Sequence, residues 1–278
     1  MAAFLVACLG IALAHESLDR QLADATRRVI AQPNEAVARF HRAELYRVRG
    51  EVELARADYR AARALDPQLA AVDLGLAELM RTTGELDAAL GHLERFLQTH
   101  PEHESALVMR GRVHAARGDA ALAAADFGAA IVAAEVARGP QPEYYIERAA
   151  ALEACAPPQT EQALQTLEAG LRRLDRPVTL LRAAVEIEVR HGRFDAAAER
   201  IAAAFSNDAE IPPTWAMRRA ELLERAGCNV EARSAYARAL ARLSALPPER
   251  RVVSAMARQA REIEQSLSRL DSLLASPP

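Results

Sequence analysis

The chain contains no lysine, and all of its 35 basic residues are arginine. Aromatic residues make up only 4% of the 278 residues. No run of basic residues with interleaved aromatics is present that would neutralise phosphates and stack on bases. With 38 acidic residues the formal net charge is −3, so we expect no nucleic-acid partner.

Cysteine is scarce, and the common motifs of catalysis are missing. Cys8, Cys155 and Cys228 have neither the spacing of metal ligands nor the even number of a disulfide framework. The sequence has no glycine-rich phosphate loop, no nucleophile elbow and no zinc-binding helix motif. We therefore predict that the protein is not an enzyme and has no catalytic, metal or cofactor-binding residues.

Histidines cluster once, in the segment HLERFLQTHPEHE at residues 92–104. A metal site in this segment is disfavoured because Pro101 breaks the helix between His100 and His103, which keeps the two imidazoles off one helical face. We interpret these histidines as surface residues of a turn.

Strand-like runs of alternating β-branched and aromatic residues are also absent, which argues against a sheet. Alanine, followed by leucine, dominates the 51% of apolar residues. Because alanine is the best helix former but fills a deep core poorly, we predict an all-α chain of thin, closely packed helices.

The N-terminal segment, residues 1–14, is almost entirely apolar. It is too short to cross a bilayer, which needs about 20 residues. It resembles the apolar region of a secretory signal, with Ala12-Leu13-Ala14 as a small-x-small cleavage site, although no positive charge precedes it. We therefore predict a periplasmic or secreted protein of the bacterial envelope. Lipidation at Cys8 is a less favoured variant, and a cytoplasmic protein is the alternative.

A glycine with the same neighbours recurs along the chain. Gly50, Gly84 and Gly118 follow each other at a strict period of 34, and Gly192 and Gly227 carry the same pattern. Alanine stands five residues after each glycine, an aromatic or aliphatic side chain nine residues after it, and usually a small residue seven before it.

These offsets have physical causes. Glycine ends a helix in the left-handed conformation, which costs other residues roughly 1 kcal/mol. Small residues let two antiparallel helices approach, and the large side chain fills the gap between neighbouring hairpins. Such a hairpin cannot bury its apolar face alone, so hairpins stack on one another.

The pattern resembles the tetratricopeptide repeat (TPR) family, whose unit is a 34-residue helix-turn-helix. The resemblance covers residues 36 to about 245. One unit is degenerate, since Pro158 stands where the glycine belongs. The resemblance implies an α-solenoid of about six TPR-like helical hairpins, with a leading helix and a C-terminal capping helix.

We divide the chain accordingly. The predicted segments are the possible signal at 1–14, a leading helix in 15–35, repeats 1–3 at 36–138, a joint at 139–143, repeats 4–6 at 144–246 and a capping helix with a tail at 247–278. A boundary between two three-repeat halves at the joint is the alternative. The polar outer face expected of the cap carries Arg251, Arg258, Arg261, Glu264 and Arg269.

The resemblance also implies a function, because TPR proteins generally hold a segment of another protein in a concave groove lined by the first helix of each hairpin. The repeat register places the groove residues six and ten positions before each glycine. The predicted partner-binding residues are Phe40, Glu44, Glu78, Arg112, Arg148, Arg182, Glu186 and Glu221.

Arg112, Arg148 and Arg182 form a predicted positive strip in this groove, and we hypothesise that it binds an acidic or carboxylate-bearing segment. Pairing of these arginines with neighbouring glutamates is the favoured alternative. An interaction scaffold is the primary functional prediction. A small-molecule- or peptide-binding regulatory or enzymatic protein on the same scaffold is the second, and self-association through the end faces is the third.

Overall fold

The computed structural model describes residues 2–137, 139–205, 211–245 and 254–275, with side chains from residue 17 onward. Within these ranges the chain forms fourteen α-helices and no strand, which confirms the all-α prediction. The helices fall into two compact units, Met1–Cys155 and Ala156–Pro278, which we call unit 1 and unit 2.

Unit 1 contains eight helices, each of which packs against the next along the chain. They are α1 (Ala2–Ala31), α2 (Ala36–Arg49), α3 (Val52–Leu65), α4 (Ala71–Thr83), α5 (Leu86–Thr99), α6 (Glu104–Arg117), α7 (Ala120–Ala137) and α8 (Pro142–Glu153). Helix α4 also contacts α2 and α6, so the first helices of three successive hairpins lie side by side. This is the packing of stacked helical hairpins.

Unit 2 contains six helices, again packed in chain order. They are α9 (Thr160–Arg173), α10 (Val178–Arg190), α11 (Phe194–Ala203), α12 (Pro213–Arg225), α13 (Asn229–Ala245) and α14 (Ser254–Ala275). Helix α14 buries Ile263 and Leu270 against the unit and exposes Arg258, Arg261 and Glu264, which is the one-sided polarity expected of a cap. Arg251 lies outside the described residues.

The repeated glycines close the hairpins as predicted. All five lie in the left-handed region, with φ of 82°, 81°, 87°, 73° and 79° along the chain. At the first turn the amide of Gly50 donates to the Arg47 carbonyl and the next amide, of Glu51, donates to the Tyr46 carbonyl at 2.8 Å. These bonds satisfy carbonyls at the end of α2 that would otherwise lack partners.

The connection in which proline replaces the glycine is the one at which the two units divide. Helix α8 ends at Glu153 in unit 1 and α9 begins at Thr160 in unit 2, with Pro158 in the connection. The predicted joint at 139–143 lies earlier in the chain, inside unit 1, where α7 and α8 pack together.

Charged side chains lie buried inside three hairpins, a feature that the repeat pattern did not predict. In each of them an arginine on one helix binds a buried carboxylate on the other. The pairs are Arg42–Asp58, Arg110–Asp126 and Glu188–Arg200.

The second hairpin buries Asp73 on α4, whose carboxylate contacts Arg63, Arg95 and His92 at 2.6–2.8 Å. Burial raises the pKa of Asp73, but the hydrogen bonds from His92 and Arg63 and the nearby positive charges outweigh it and hold the pKa below its usual value. His92 is therefore a half-buried helix residue and not the turn residue that we expected.

Two helical glycines provide a matched test of the packing. A Cβ on Gly75 of α4 would lie 2.5 Å from the ring of Tyr59, whereas a Cβ on Gly91 of α5 would meet no atom within 4 Å. Alanine in a helix is favoured over glycine by about 1 kcal/mol. We expect Gly91→Ala to raise the free energy of unfolding by about 1 kcal/mol. For Gly75→Ala, overpacking costs about 1–3 kcal/mol and offsets the helix gain, so we expect a net loss of up to about 2 kcal/mol.

Urea denaturation followed by circular dichroism measures both changes. Equal stabilisation of the two variants would contradict the close contact between α3 and α4 at Gly75.

Candidate functional site

The predicted groove residues of unit 1 lie on its first helices, and most of them contact side chains that are not in the predicted set. Glu44 on α2 accepts hydrogen bonds from Arg47, at 2.7 Å, and from the hydroxyl of Tyr59. Glu78 on α4 binds Arg81 at 2.8 Å. Phe40 on α2 packs its ring against that of Tyr59, with the centroids 6.1 Å apart.

The two arginines predicted for unit 1 have different surroundings. Arg112 on α6 forms an ion pair with Glu147 on α8 at 2.9 Å. Arg148 lies over α7, where its guanidinium carbon would be 3.2 Å from a Cβ on Gly128, and its buried Nε has no hydrogen-bond partner among the described residues. Glycine at position 128 thus makes room for the Arg148 side chain.

The charged side chains on the first helices of unit 1 mostly have partners within the unit. The hydrogen bond from Arg81 lowers the pKa of Glu78 below its usual value against the effect of burial, and the charges of Arg47 and Arg112 lower it further. Tyr144 on α8 donates a hydrogen bond to Glu104 on α6. The pKa of Tyr144 is raised to about 12, mainly by burial and secondly by this hydrogen bond. Apart from Arg148, the charges identified on this face of unit 1 are therefore paired within the unit.

Unit 2 presents a different surface on its first helices. Between α10 and α12 lies a cavity of about 320 Å³, lined by Arg182, Val185, Glu186, Thr214, Trp215 and Arg218. Arg182 and Glu186, both predicted groove residues, are exposed at this cavity. Arg218 binds Glu221 at 3.2 Å, whereas Arg182 has no hydrogen bond or ion pair among the residues that the structure describes.

A second cavity, of about 530 Å³, lies next to the first, between α12 and α14. Its polar lining is mostly paired, since Glu224 accepts from Arg269 at 2.7 Å and from Tyr236 at 3.1 Å. Burial raises the pKa of Tyr236 to about 12. Glu221, the last predicted groove residue, also lines this cavity, so α12 borders both cavities.

The repeat register did not identify Trp215 and Arg218 as groove residues. Trp215 lies two residues after Pro213, in the first turn of α12, and it is the only tryptophan of the chain. Its position after two prolines marks a helix start, where aromatic packing is common. The register alone gives no reason to place it beside Arg182.

The histidines between α5 and α6 serve local packing. The His100 ring stacks on Phe96 at 4.6 Å, and His103 meets the same ring edge-on at 5.0 Å. His103 also caps α6 by accepting a bond from the amide of Ala106 at 3.3 Å. No group of histidine, cysteine and acidic side chains with the arrangement of metal ligands occurs in the part of the chain that the structure describes.

Comparison with protein families agrees with the stacked hairpins and the glycine-closed turns. The family model described as Tetratricopeptide repeat matches residues 74–141 and 182–247. The repeats in these two regions are tetratricopeptide repeats. TPR domains commonly act as protein-interaction scaffolds, and they are generally not enzymes.

Solved structures show the same fold at low sequence identity. A tetratricopeptide repeat protein from Parabacteroides merdae superposes with a TM-score of 0.54 at 15% identity, over 91% of this chain and 94% of that one. PilW, a type IV pilus biogenesis factor, gives a TM-score of 0.56 at 19% identity, over 71% of this chain and 89% of its own. MamA gives a TM-score of 0.51 at 16% identity, over 60% of this chain and 87% of its own.

At these identities the likeness concerns the TPR fold alone. Comparison with curated protein sequences finds no match. Among the described residues, no helix is both long and apolar enough to cross a membrane.

Proposed function

We propose that this TPR protein is a scaffold that holds a carboxylate-bearing segment of a partner protein against the first helices of unit 2. The observation that carries the proposal is the guanidinium of Arg182, which has no partner among the described residues and lines the cavity between α10 and α12 together with Trp215. An arginine fork binds a carboxylate through two parallel hydrogen bonds. An indole next to it offers apolar contact for the neighbouring side chain of the segment.

The contrast between the units supports the choice of unit 2. In unit 1, Arg112 is occupied by Glu147, so a ligand carboxylate would have to displace an existing partner. Arg182 is exposed on α10 and no protein carboxylate competes for it among the described residues. Arg148 is only partly exposed and packs over Gly128. Of the three arginines in the predicted strip, Arg182 is therefore the one that we assign to partner binding.

The single tryptophan makes the proposal directly measurable. Because Trp215 is the only indole, its fluorescence reports occupancy of this cavity without labelling. We expect hexapeptides rich in glutamate to change the emission in a saturable way, and the same peptides with glutamine in place of glutamate to leave it unchanged. Binding should weaken as salt is raised, because exposed charges are screened.

The decisive variant is Arg182→Glu. Loss of a charge-assisted hydrogen bond costs about 1.5–3 kcal/mol, so we expect affinity to fall about 10- to 100-fold. Arg173→Glu is the matched control, since Arg173 is an exposed arginine at the end of α9 that lines none of the cavities described above. Equal affinity of the Arg182→Glu and Arg173→Glu variants would remove the cavity from consideration as the binding site.

A further inference from the structure

Unit 2 contains a cavity of about 390 Å³ that belongs to neither groove cavity. It lies among α9, α10 and α11 and shares no lining residue with the two cavities bordered by α12. Its α10 wall includes Glu188, two residues after Glu186, and successive residues turn by about 100° around a helix. Glu188 therefore points away from the face that carries Glu186.

The carboxylate of Glu188 is buried but only half satisfied. The residue is 3% exposed. Its Oε1 accepts both hydrogen bonds from Arg200, from Nε at 3.0 Å and from Nη2 at 2.7 Å. Its Oε2 is buried and has no hydrogen-bond partner in the described part of the chain. Buried polar atoms are almost always hydrogen-bonded, so this oxygen calls for a donor.

The two other hairpins with a buried arginine–carboxylate pair, α2–α3 and α6–α7, do not share the arrangement seen in the α10–α11 hairpin. Asp126 uses both of its oxygens, each binding a different nitrogen of Arg110. Asp58 does the same with Arg42. In those two hairpins two parallel hydrogen bonds from the arginine satisfy both carboxylate oxygens. In the α10–α11 hairpin the carboxylate precedes the arginine in the chain, and one of its oxygens accepts no hydrogen bond from the described residues.

Arg200 itself is not available to a ligand. It also donates to Glu168 at 2.8 Å and is thus held by two carboxylates. Burial lowers the pKa of Arg200, but the bond and the charge of Glu188 outweigh it and raise the pKa above its usual value. Because Glu188 lines the cavity, a bound molecule meets this residue on one side and other arginines on the other.

Those other arginines are Arg172 and Arg176, which are exposed. Their protein contacts are long: Arg172 lies 3.7 Å from Glu168, and Arg176 donates to the Ala204 carbonyl at 3.4 Å. The wall between them and Glu188 includes the buried side chains of Leu171 and Leu181. The lining contains three glutamates and three arginines, so it carries no net charge and suits a ligand that carries none. Its volume lies in the usual range of small-molecule sites, about 300–1,000 Å³.

We propose that this cavity binds a free aliphatic α-amino acid, whose ammonium group donates to Oε2 of Glu188 and whose carboxylate pairs with Arg172 and Arg176. The aliphatic side chain packs against Leu171 and Leu181. The site gives unit 2 a small-molecule function that is independent of the groove.

Titration calorimetry of the full chain with three matched probes tests this assignment. The probes are L-leucine, 4-methylpentanoate, which lacks the amine, and 3-methylbutylamine, which lacks the carboxylate. We expect a saturable heat with L-leucine and at least tenfold weaker binding of either analogue. Absence of saturable binding of L-leucine, or equal binding of an analogue, would overturn the proposal.

Two variants locate the site. Glu188→Gln keeps the shape and a bond to Arg200 but removes the charge, and we expect L-leucine to bind at least tenfold more weakly. Ala203→Phe fills the cavity from its exposed wall and should abolish binding. If circular dichroism shows that Glu188→Gln is unfolded, L-leucine binding by Ala203→Phe serves as the test of the site. Leucine binding that survives in the folded variants contradicts the site.

The Arg182→Glu variant separates this proposal from the proposed function. We expect it to bind L-leucine like the wild type while losing affinity for acidic peptides. Failure of leucine binding would therefore leave the groove assignment intact, and failure of peptide binding would leave this cavity intact.

Discussion

Replacing Arg110 by alanine is expected to lower the free energy of unfolding by about 3–5 kcal/mol. Arg110 on α6 donates from Nε and Nη2 to the two carboxylate oxygens of Asp126 on α7, at 2.9 and 2.6 Å. Asp126 is 6% exposed, so removal of the arginine leaves a buried charge. The hydrogen bond that Arg110 donates to Asp126 raises the pKa of Arg110 above its usual value, which agrees with a strong pair.

Two further variants separate the burial of charge from the loss of a contact. Arg112→Ala removes the arginine two positions later on the same helix, whose pair with Glu147 is half exposed, and should cost no more than about 1 kcal/mol. Replacing Arg110 by methionine and Asp126 by leucine together should restore most of the stability, because apolar residues of similar volume can substitute for a buried pair.

Urea denaturation measures all three free energies. A cost for Arg110→Ala no larger than that of Arg112→Ala would show that Asp126 finds another partner or reaches solvent. The nearest candidate is His114, whose Nε2 is 3.8 Å from the Asp126 carboxylate.

Tyr59→Ala is the second substitution with a large expected effect, a loss of about 3–5 kcal/mol. The Tyr59 side chain is fully buried between α2, α3 and α4, where it packs on Phe40 and lies against Gly75. Truncation leaves a cavity at the junction of the first two hairpins. The backbone at Gly75 cannot supply side-chain atoms to fill it.

Tyr59→Phe is the matched control because it keeps the ring and removes only the hydroxyl. That hydroxyl donates to Glu44, which retains its bond to Arg47. We therefore expect a loss of about 0.5–1.5 kcal/mol, the net value of one hydrogen bond. Comparable losses in Tyr59→Phe and Tyr59→Ala would mean that the hydroxyl, and not the ring, holds the two hairpins together.

The sequence predicts the hairpins of this protein well because their ends depend on backbone conformation. A left-handed residue is required at the end of the first helix, and glycine at positions such as Gly84 and Gly227 reveals it directly. Between α8 and α9 Pro158 stands where the glycine belongs, so the same reasoning gives no turn geometry there. The two compact units divide in this connection.

The candidate sites were less accessible to sequence reasoning. The register names Arg182 and Glu186, and both are exposed on α10. The partner of Arg112 and the position of Trp215 depend on how neighbouring helices pack. Arg110 and Asp126 are sixteen residues apart, and Glu188 and Arg200 twelve. Arg110 and Asp126 stand at the same register positions as Arg42 and Asp58, but the pair Glu188–Arg200 has no such counterpart. The half-satisfied carboxylate of Glu188 therefore becomes visible only in three dimensions.

The turns of these hairpins are closed by main-chain amides and carbonyls, as at Gly50 and Gly118. Side chains six and ten residues before each glycine contribute nothing to that closure. Mutational drift at those positions can accordingly rewrite what the protein recognises while its architecture is inherited unchanged, so relatives with the same glycine spacing need not share a partner.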